Sequence, residues 1–96
     1  MDMEWTDWEQ RVLDTFMEGE RIVQIPAKMK KRTVILKWLV SHIPQDVKMS
    51  HADFNHLLQQ HHPDSATLRR ELFELGFVHR DREFYWRDAT TPDADV

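Results

Sequence analysis

Three of the four prolines and both glycines divide this chain of 96 residues into short segments, and this spacing limits the possible folds more than any other feature. Pro26, Pro44 and Pro63 are disfavoured inside regular helices, whereas Gly19 and Gly76 are suited to helix ends. Each interval accommodates a helix of a few turns. We therefore expect one small domain built from several short helices.

The first segment carries a helix start signal. Thr6 and Glu9 have capping-box spacing, and apolar side chains follow at helical spacing, so we predict a helix over residues 7–17. Gly19 ends it. Residues 21–25 are rich in β-branched side chains and favour an extended segment or short strand.

Three further helices are predicted from the remaining breaks. One begins at Pro26 and reaches Pro44, one follows the N-cap Ser50 and stops near His62, and one is capped by Asp64 or Ser65 and extends to residue 75. The side chains expected to face the core are Met29, Thr33, Leu36, Val40, Ile43, Phe54, Leu57, Leu58, His61, Leu68, Leu72 and Leu75.

The pattern of the aromatic segment 77–87 predicts a β-hairpin. Residues 77–80 and 84–87 are short strand candidates joined by the polar turn 81–83. Helix, helix, helix and hairpin is the order of a winged helix-turn-helix domain. We therefore predict an α+β, mainly helical fold: a winged helix-turn-helix domain with an extra N-terminal helix.

Charge is distributed unevenly. Residues 1–20 contain seven acids and one arginine and form the predicted acidic N-terminal helix, while residues 88–96 carry three acids and are predicted to be a disordered tail. The net charge is −4, so the predicted winged-helix domain, residues 21–87, carries +5. A positive face is therefore compatible with an acidic protein.

Composition excludes several classes of protein. The chain has no cysteine, which excludes disulfides and thiolate metal sites, and the six histidines lack the spacing of a metal site. Neither a catalytic constellation nor a nucleotide-binding glycine loop is recognisable, so we expect no enzyme activity, cofactor or metal. Without a long apolar stretch or a basic leader, we expect a cytoplasmic protein with no membrane contact.

The fourth predicted helix is the best candidate for a DNA-reading element. A projection at 100° per residue places Ala66, Arg70 and Phe73 opposite its core face, with Arg69 on the flank. Arginine recognises guanine, and hydroxyl groups near a helix N-terminus contact phosphate. The predicted DNA-binding residues of this helix are Ser65, Ala66, Thr67, Arg69, Arg70 and Phe73. The alternative is that these arginines pair with Glu74 and other acids on a solvated face.

A basic run, residues 28–32 (KMKKR), and the predicted hairpin add candidate phosphate contacts. Cations at a helix N-terminus oppose the helix dipole, and such departures from local preference often mark function. The residues expected to contact phosphate are Lys28, Lys30, Lys31, Arg32, Arg80 and Arg82. The alternative is that the acidic first helix folds back onto the basic run and masks it.

Four separated motifs resemble the bacterial domain of unknown function 2087 family: residues 25–32 (IPAKMKKR), 61–72 (HHPDSATLRREL), 76–78 (GFV) and 85–87 (YWR). The resemblance implies a winged-helix domain associated with transcriptional regulators. By position, the basic motif of the family falls on Lys28, Lys30, Lys31 and Arg32, and its helix motif on residues 67–72. The chain departs from the family in its acidic first helix and in a hairpin turn without glycine.

These observations favour a protein that binds double-stranded DNA and regulates transcription. The alternative is a winged-helix interaction module or inhibitor whose charged surfaces bind a protein partner, because fold alone does not decide function. A homodimer is a further candidate assembly, since one short reading helix gives limited affinity, although no heptad pattern supports it.

Overall fold

The computed structural model describes residues 5–91, which contain four α-helices and two small antiparallel sheets. The helices are α1 (Asp7–Phe16), α2 (Met29–Val40), α3 (His51–Gln59) and α4 (Ser65–Glu74). The strands are β1 (Met17–Glu18), β2 (Arg21–Ile22), β3 (Met49–Ser50), β4 (His79–Arg80) and β5 (Phe84–Trp86). The predicted α+β, mainly helical class is confirmed.

Side-chain caps fix the starts of three helices where the sequence predicted them. The Thr6 hydroxyl accepts from the Glu9 amide at 3.1 Å, while the Glu9 carboxylate accepts from the Thr6 amide at 3.0 Å, which completes the capping box. Ser50 caps α3 through the Asp53 amide, and Asp64 caps α4. These caps satisfy backbone N–H groups that a helix leaves unpaired in its first turn.

The prediction that α2 begins at Pro26 and reaches Pro44 is wrong at both ends. Pro26 is buried in the irregular segment before the helix, and the helix begins at Met29, with Lys28 as an N-cap that makes no capping hydrogen bond through its side chain. The helix ends at Val40, well before Pro44. Met29 therefore lies in the first turn, beyond the edge of the core, and is 49% exposed rather than buried.

The core joins all four helices with the aromatic hairpin. Its fully buried residues include Leu36, Phe54, Leu68 and Tyr85, and Val12 and Leu13 of α1 belong to the same cluster. Leu75, predicted to be buried, is 40% exposed, because it is the C-cap of α4 and the chain reverses at Gly76 with φ +82°. Phe77 and Val78 fill the core after the reversal.

A short hairpin connects α1 to the rest of the domain. Strands β1 and β2 pair antiparallel around Gly19, whose φ of +62° favours glycine. The Ile22 amide donates to the His61 carbonyl at 2.7 Å, and His61 Nδ1 lies 2.6 Å from the Glu20 carbonyl oxygen. Since a carbonyl only accepts, Nδ1 is the donor, and this bond satisfies the predicted core histidine.

The C-terminal hairpin is confirmed, with strands shorter than the predicted 77–80 and 84–87, and it belongs to a three-stranded sheet that was not predicted. Strand β5 pairs with β4 on one side and with β3 on the other, in the order β3-β5-β4. The turn is short although it lacks glycine, because the Asp81 carboxylate accepts from the amides of Glu83 (2.8 Å) and Phe84 (2.7 Å). These two bonds lower the pKa of Asp81.

Residues 88–91 of the predicted disordered tail form a hydrogen-bonded turn, and residues 92–96 lie outside the described residues. The Asp88 carboxylate accepts from the Thr90 amide at 2.8 Å, and Thr91 is buried. Within residues 5–91, no helix is long and apolar enough to cross a membrane.

Candidate nucleic-acid interface

An open cleft of about 400 Å³ lies between the outer face of α4 and the C-terminal hairpin. Its lining residues are Ala66, Arg69, Arg70, Phe73, Glu74, Arg80 and Tyr85. Five of these are among the residues predicted to contact DNA, and they come from two elements separated by the chain reversal at Gly76. The cleft carries three arginines and one glutamate, so its local charge is positive.

The two arginines of α4 are held differently. Arg69 is half-buried and donates from Nη1 to the Asn55 side-chain oxygen of α3, which fixes its direction. Arg70 is exposed and makes no ion pair with any residue between 5 and 91. Neither arginine forms an ion pair with Glu74 in this part of the chain. After the hydrogen bonds from Thr67, the charge of Arg70 instead contributes to the lowered pKa of Asp64.

Phe73 contacts the hairpin through Arg80. The guanidinium carbon of Arg80 lies 4.5 Å from the Phe73 ring centroid, a cation–π geometry. Phe73 nevertheless remains 38% exposed. This contact joins the outer face of α4 to β4 and places an apolar surface between cations.

The two hydroxyl groups near the start of α4 already have partners. Ser65 is buried and accepts from Gln59 at 3.4 Å, and the Thr67 hydroxyl donates to the Asp64 carboxylate at 2.7 Å. Hydrogen bonds from the Thr67 hydroxyl and backbone lower the pKa of Asp64. Any phosphate contact by Ser65 or Thr67 therefore competes with these bonds.

The basic run divides into an exposed and a partly buried half. Lys28 and Lys30 are exposed, whereas Lys31 is half-buried with Nζ 5.9 Å from the Phe16 ring centroid. Arg32 Nε lies 3.0 Å from Glu71 Oε1 of α4. Arg82 is exposed in the hairpin turn.

Helix α1 packs against α2 through apolar side chains. Val12 and Leu13 enter the core, and Trp8 and Phe16 border a groove beside Lys31. No acidic residue of α1 forms an ion pair with the basic run in the described part of the chain. Although α1 packs on α2, its acidic residues therefore form no ion pair with Lys28 or Lys30 among the described residues.

Sequence reasoning missed Asn55 and Glu71 as partners of the predicted arginines. The helical projection that selected Arg70 also places Glu71 within 60° of Leu68, on the core face of α4. An acidic residue on the core face of a helix predicts a buried carboxylate. The projection of α4 could not identify its partner, because Arg32 belongs to another helix. Among the described residues, no group of three or more histidine, cysteine or acidic side chains is arranged to hold a metal ion.

The fold and the cleft define a small α+β domain with an arginine-rich surface between a helix and a hairpin. The chain belongs to a family described as an uncharacterized protein conserved in bacteria, DUF2087, whose model matches residues 21–87. The predicted family resemblance is thus confirmed. The matched range runs from β2 to just past β5 and includes the whole cleft, whereas α1 lies before it. Comparisons with curated proteins and with solved structures found no match.

Proposed function

We propose that this protein is a winged-helix domain that binds double-stranded DNA and regulates transcription. The carrying observation is the cleft in which Arg69, Arg70 and Arg80 lie around Ala66 and Phe73. In this arrangement α4 enters the major groove and the hairpin β4–β5 forms the wing along the backbone. Such a regulator would act in the bacterial cytoplasm.

The order of elements supports the winged-helix interpretation. A helix, α2, precedes the short strand β3, and the pair α3 and α4 follows before the hairpin. Strand β3 closes the sheet beside β5, which anchors the hairpin against α3 through Tyr85 and Phe54, whose ring centroids are 4.7 Å apart. The wing and the reading helix are thus attached to one core.

The side chains of α4 suit direct contact with bases. Arg70 is exposed and unpaired within residues 5–91, so it can donate two hydrogen bonds to guanine. The small side chain of Ala66 permits close approach of the helix, and Phe73 offers an apolar contact to a thymine methyl group. Arg69, fixed by Asn55, supplies a second cation on the same side.

Two further parts of the chain supply candidate phosphate contacts. Lys28 and Lys30 project from the start of α2, and Arg80 and Arg82 from the hairpin, and all four are exposed. Neutralisation of about five phosphates predicts a slope of about −4 to −5 in a plot of log affinity against log salt concentration. Fluorescence anisotropy of a labelled mixed-sequence duplex between about 50 and 200 mM salt measures this slope.

Single substitutions test whether the cleft is the binding surface. Arg70→Ala should weaken DNA binding by at least about fivefold, the lower limit for loss of an arginine contact to guanine. Arg80→Ala should weaken binding and lower the magnitude of the salt slope by about 0.9, the loss of one phosphate contact. Arg11→Ala is the matched control, because Arg11 is exposed on α1 and does not line the cleft. Equal affinity of the parent and the cleft variants would contradict the proposed surface.

The same cleft suits a protein partner as the alternative function. Phe73 is an exposed aromatic side chain surrounded by arginines, a composition found at interface hot spots. No binding of the parent protein to duplex DNA, even at low salt, would contradict DNA binding. A pull-down with the parent and with Phe73→Ala as bait would then identify partners that need this side chain.

A further inference from the structure

A buried ion pair links the basic run on α2 to the proposed reading helix. Arg32 Nε lies 3.0 Å from Glu71 Oε1, although the two residues are 39 positions apart in the chain. Glu71 is only 8% exposed. Since α4 packs on α3 while α1 packs on α2, this pair is a polar connection between the two helices that carry most of the predicted DNA contacts.

The hydrogen bonding of this pair is incomplete. Arg32 Nε and Glu71 Oε2 are both buried and have no partner in hydrogen-bond geometry within residues 5–91. A buried ion pair generally contributes no more to stability than apolar side chains of similar volume, and an unsatisfied oxygen makes it less favourable still. Fold stability therefore does not account for a glutamate at this position.

The Arg32 guanidinium extends from the buried carboxylate toward the surface. Its Nη2 lies 3.8 Å from the sulfur of Met29, an exposed residue in the first turn of α2, and the Arg32 side chain retains 23% exposure. Lys28, the N-cap, is exposed and lies four positions before Arg32, on the same side of α2, whereas Lys30 lies on the opposite side. One edge of the guanidinium thus faces Glu71 and its outer end reaches the basic surface.

We infer that Glu71 is a positioning residue, whose buried carboxylate holds the outer nitrogens of Arg32 toward a DNA phosphate beside Lys28. This inference rests on the proposed DNA-binding function. Arginine suits the role because its five donors lie in one plane, so Nε can face a carboxylate while the terminal nitrogens contact a second anion. A lysine has one charged nitrogen and cannot do both.

Whether Glu71→Gln weakens or tightens DNA binding distinguishes a positioning role from a purely electrostatic effect. Glu71→Gln removes an acid near the bound DNA, so electrostatics alone would tighten binding. Loss of positioning should instead weaken binding about threefold to tenfold, part of the effect of a hydrogen bond to a charged group. Glu74→Gln is the matched control on the same helix, because Glu74 is exposed in the cleft and should bind DNA as tightly as the parent or more tightly.

A double-mutant cycle shows whether Glu71 acts through Arg32. In the Arg32→Ala background, Glu71→Gln should no longer weaken DNA binding. Circular dichroism verifies that each variant is folded at the temperature of the binding measurement. If Glu71→Gln weakens DNA binding equally in both backgrounds, Glu71 acts through the fold rather than through Arg32, and the inference is overturned.

Arg32→Lys gives a second measurement that does not depend on the folding of Glu71→Gln. It keeps the positive charge and the ion pair, but it should lose the phosphate contact and lower the magnitude of the salt slope by about 0.9. An unchanged slope would overturn the inference. If the parent binds DNA with the expected slope and Glu71→Gln binds as tightly as Glu74→Gln, only the positioning role of Glu71 is contradicted. If the parent does not bind DNA, both the proposed function and the positioning role are contradicted.

Discussion

At the scale of single residues, Asp88 shows how local hydrogen bonds make a carboxylate respond to acid. Its carboxylate accepts from the Thr90 hydroxyl and amide and lies 3.3 Å from His79 Nε2. Chiefly through the Thr90 bonds, the pKa of Asp88 is lowered to about 2. Because the folded pKa is below that of the unfolded chain, this stabilisation is complete above about pH 4 and is lost as the pH falls toward 2.

The first prediction follows from this shift. Between pH 5 and about pH 2, the melting temperature of the parent should fall more than that of Asp88→Asn, which has no carboxylate to protonate at this position. Thermal unfolding followed by circular dichroism at several pH values measures both. Parallel pH profiles for the two proteins would show that the turn at Asp88 does not contribute to stability.

Phe54 and Phe73 form a matched pair of residues with opposite environments. Phe54 is fully buried against Tyr85, whereas Phe73 lies at the edge of the cleft. Phe54→Ala should lower the free energy of unfolding by about 3–5 kcal/mol, because it leaves a cavity. Phe73→Ala should lower it by less than about 1 kcal/mol. Urea unfolding compares the two, and similar losses would contradict the assignment of Phe73 to a binding surface.

At the scale of elements, α1 lies before the part of the chain matched by the family, yet it contributes to the common core. Leu13 is buried in the cluster, while Leu75 of the α4 C-cap is exposed. Leu13→Ala should therefore lower the free energy of unfolding by about 2–5 kcal/mol, and Leu75→Ala by less than about 1 kcal/mol. Equal urea midpoints for Leu13→Ala and the parent would show that α1 is an independent appendage.

The elements that the sequence predicted correctly are those with local signals. The Thr6 capping box, the Ser50 cap and the Gly76 reversal each depend on residues a few positions apart, so their patterns are visible in one dimension. Strand β3 was missed because two residues have no detectable periodicity and its pairing with β5 joins distant segments. The start of α2 was misplaced because Pro26 is equally suited to the first helical turn and to a buried irregular segment.

The sequence also predicted part of the candidate site, namely the residues that share one face of α4. Helical projection selected Ala66, Arg70 and Phe73 as one outward face, and the structure places them in one cleft. Their partners, Asn55 and Glu71, could not be assigned, because hydrogen bonds between helices depend on how the helices pack. Projection describes the face of one helix and does not identify what lies opposite it.

At the scale of the whole molecule, the net charge and the charge of the proposed binding surface have opposite signs. The chain carries −4 overall, while its cleft and the start of α2 are positive. A segregated field of this kind attracts a polyanion to the positive regions and repels it from the acidic ones. DNA binding should therefore be confined to these positive regions, rather than distributed as in a uniformly basic protein.

Molecular size sets the last prediction. The longest dimension is 37 Å, which corresponds to about 11 base pairs at 3.4 Å per base pair. One molecule should bind a 12-bp duplex with nearly the affinity measured on longer DNA, and a 24-bp duplex should accept two molecules independently. Sedimentation velocity of labelled duplexes gives the stoichiometry. Tight binding that requires more than about 20 bp and occurs in a single cooperative step would contradict this one-molecule site and favour a homodimer that spans two half-sites one helical turn apart.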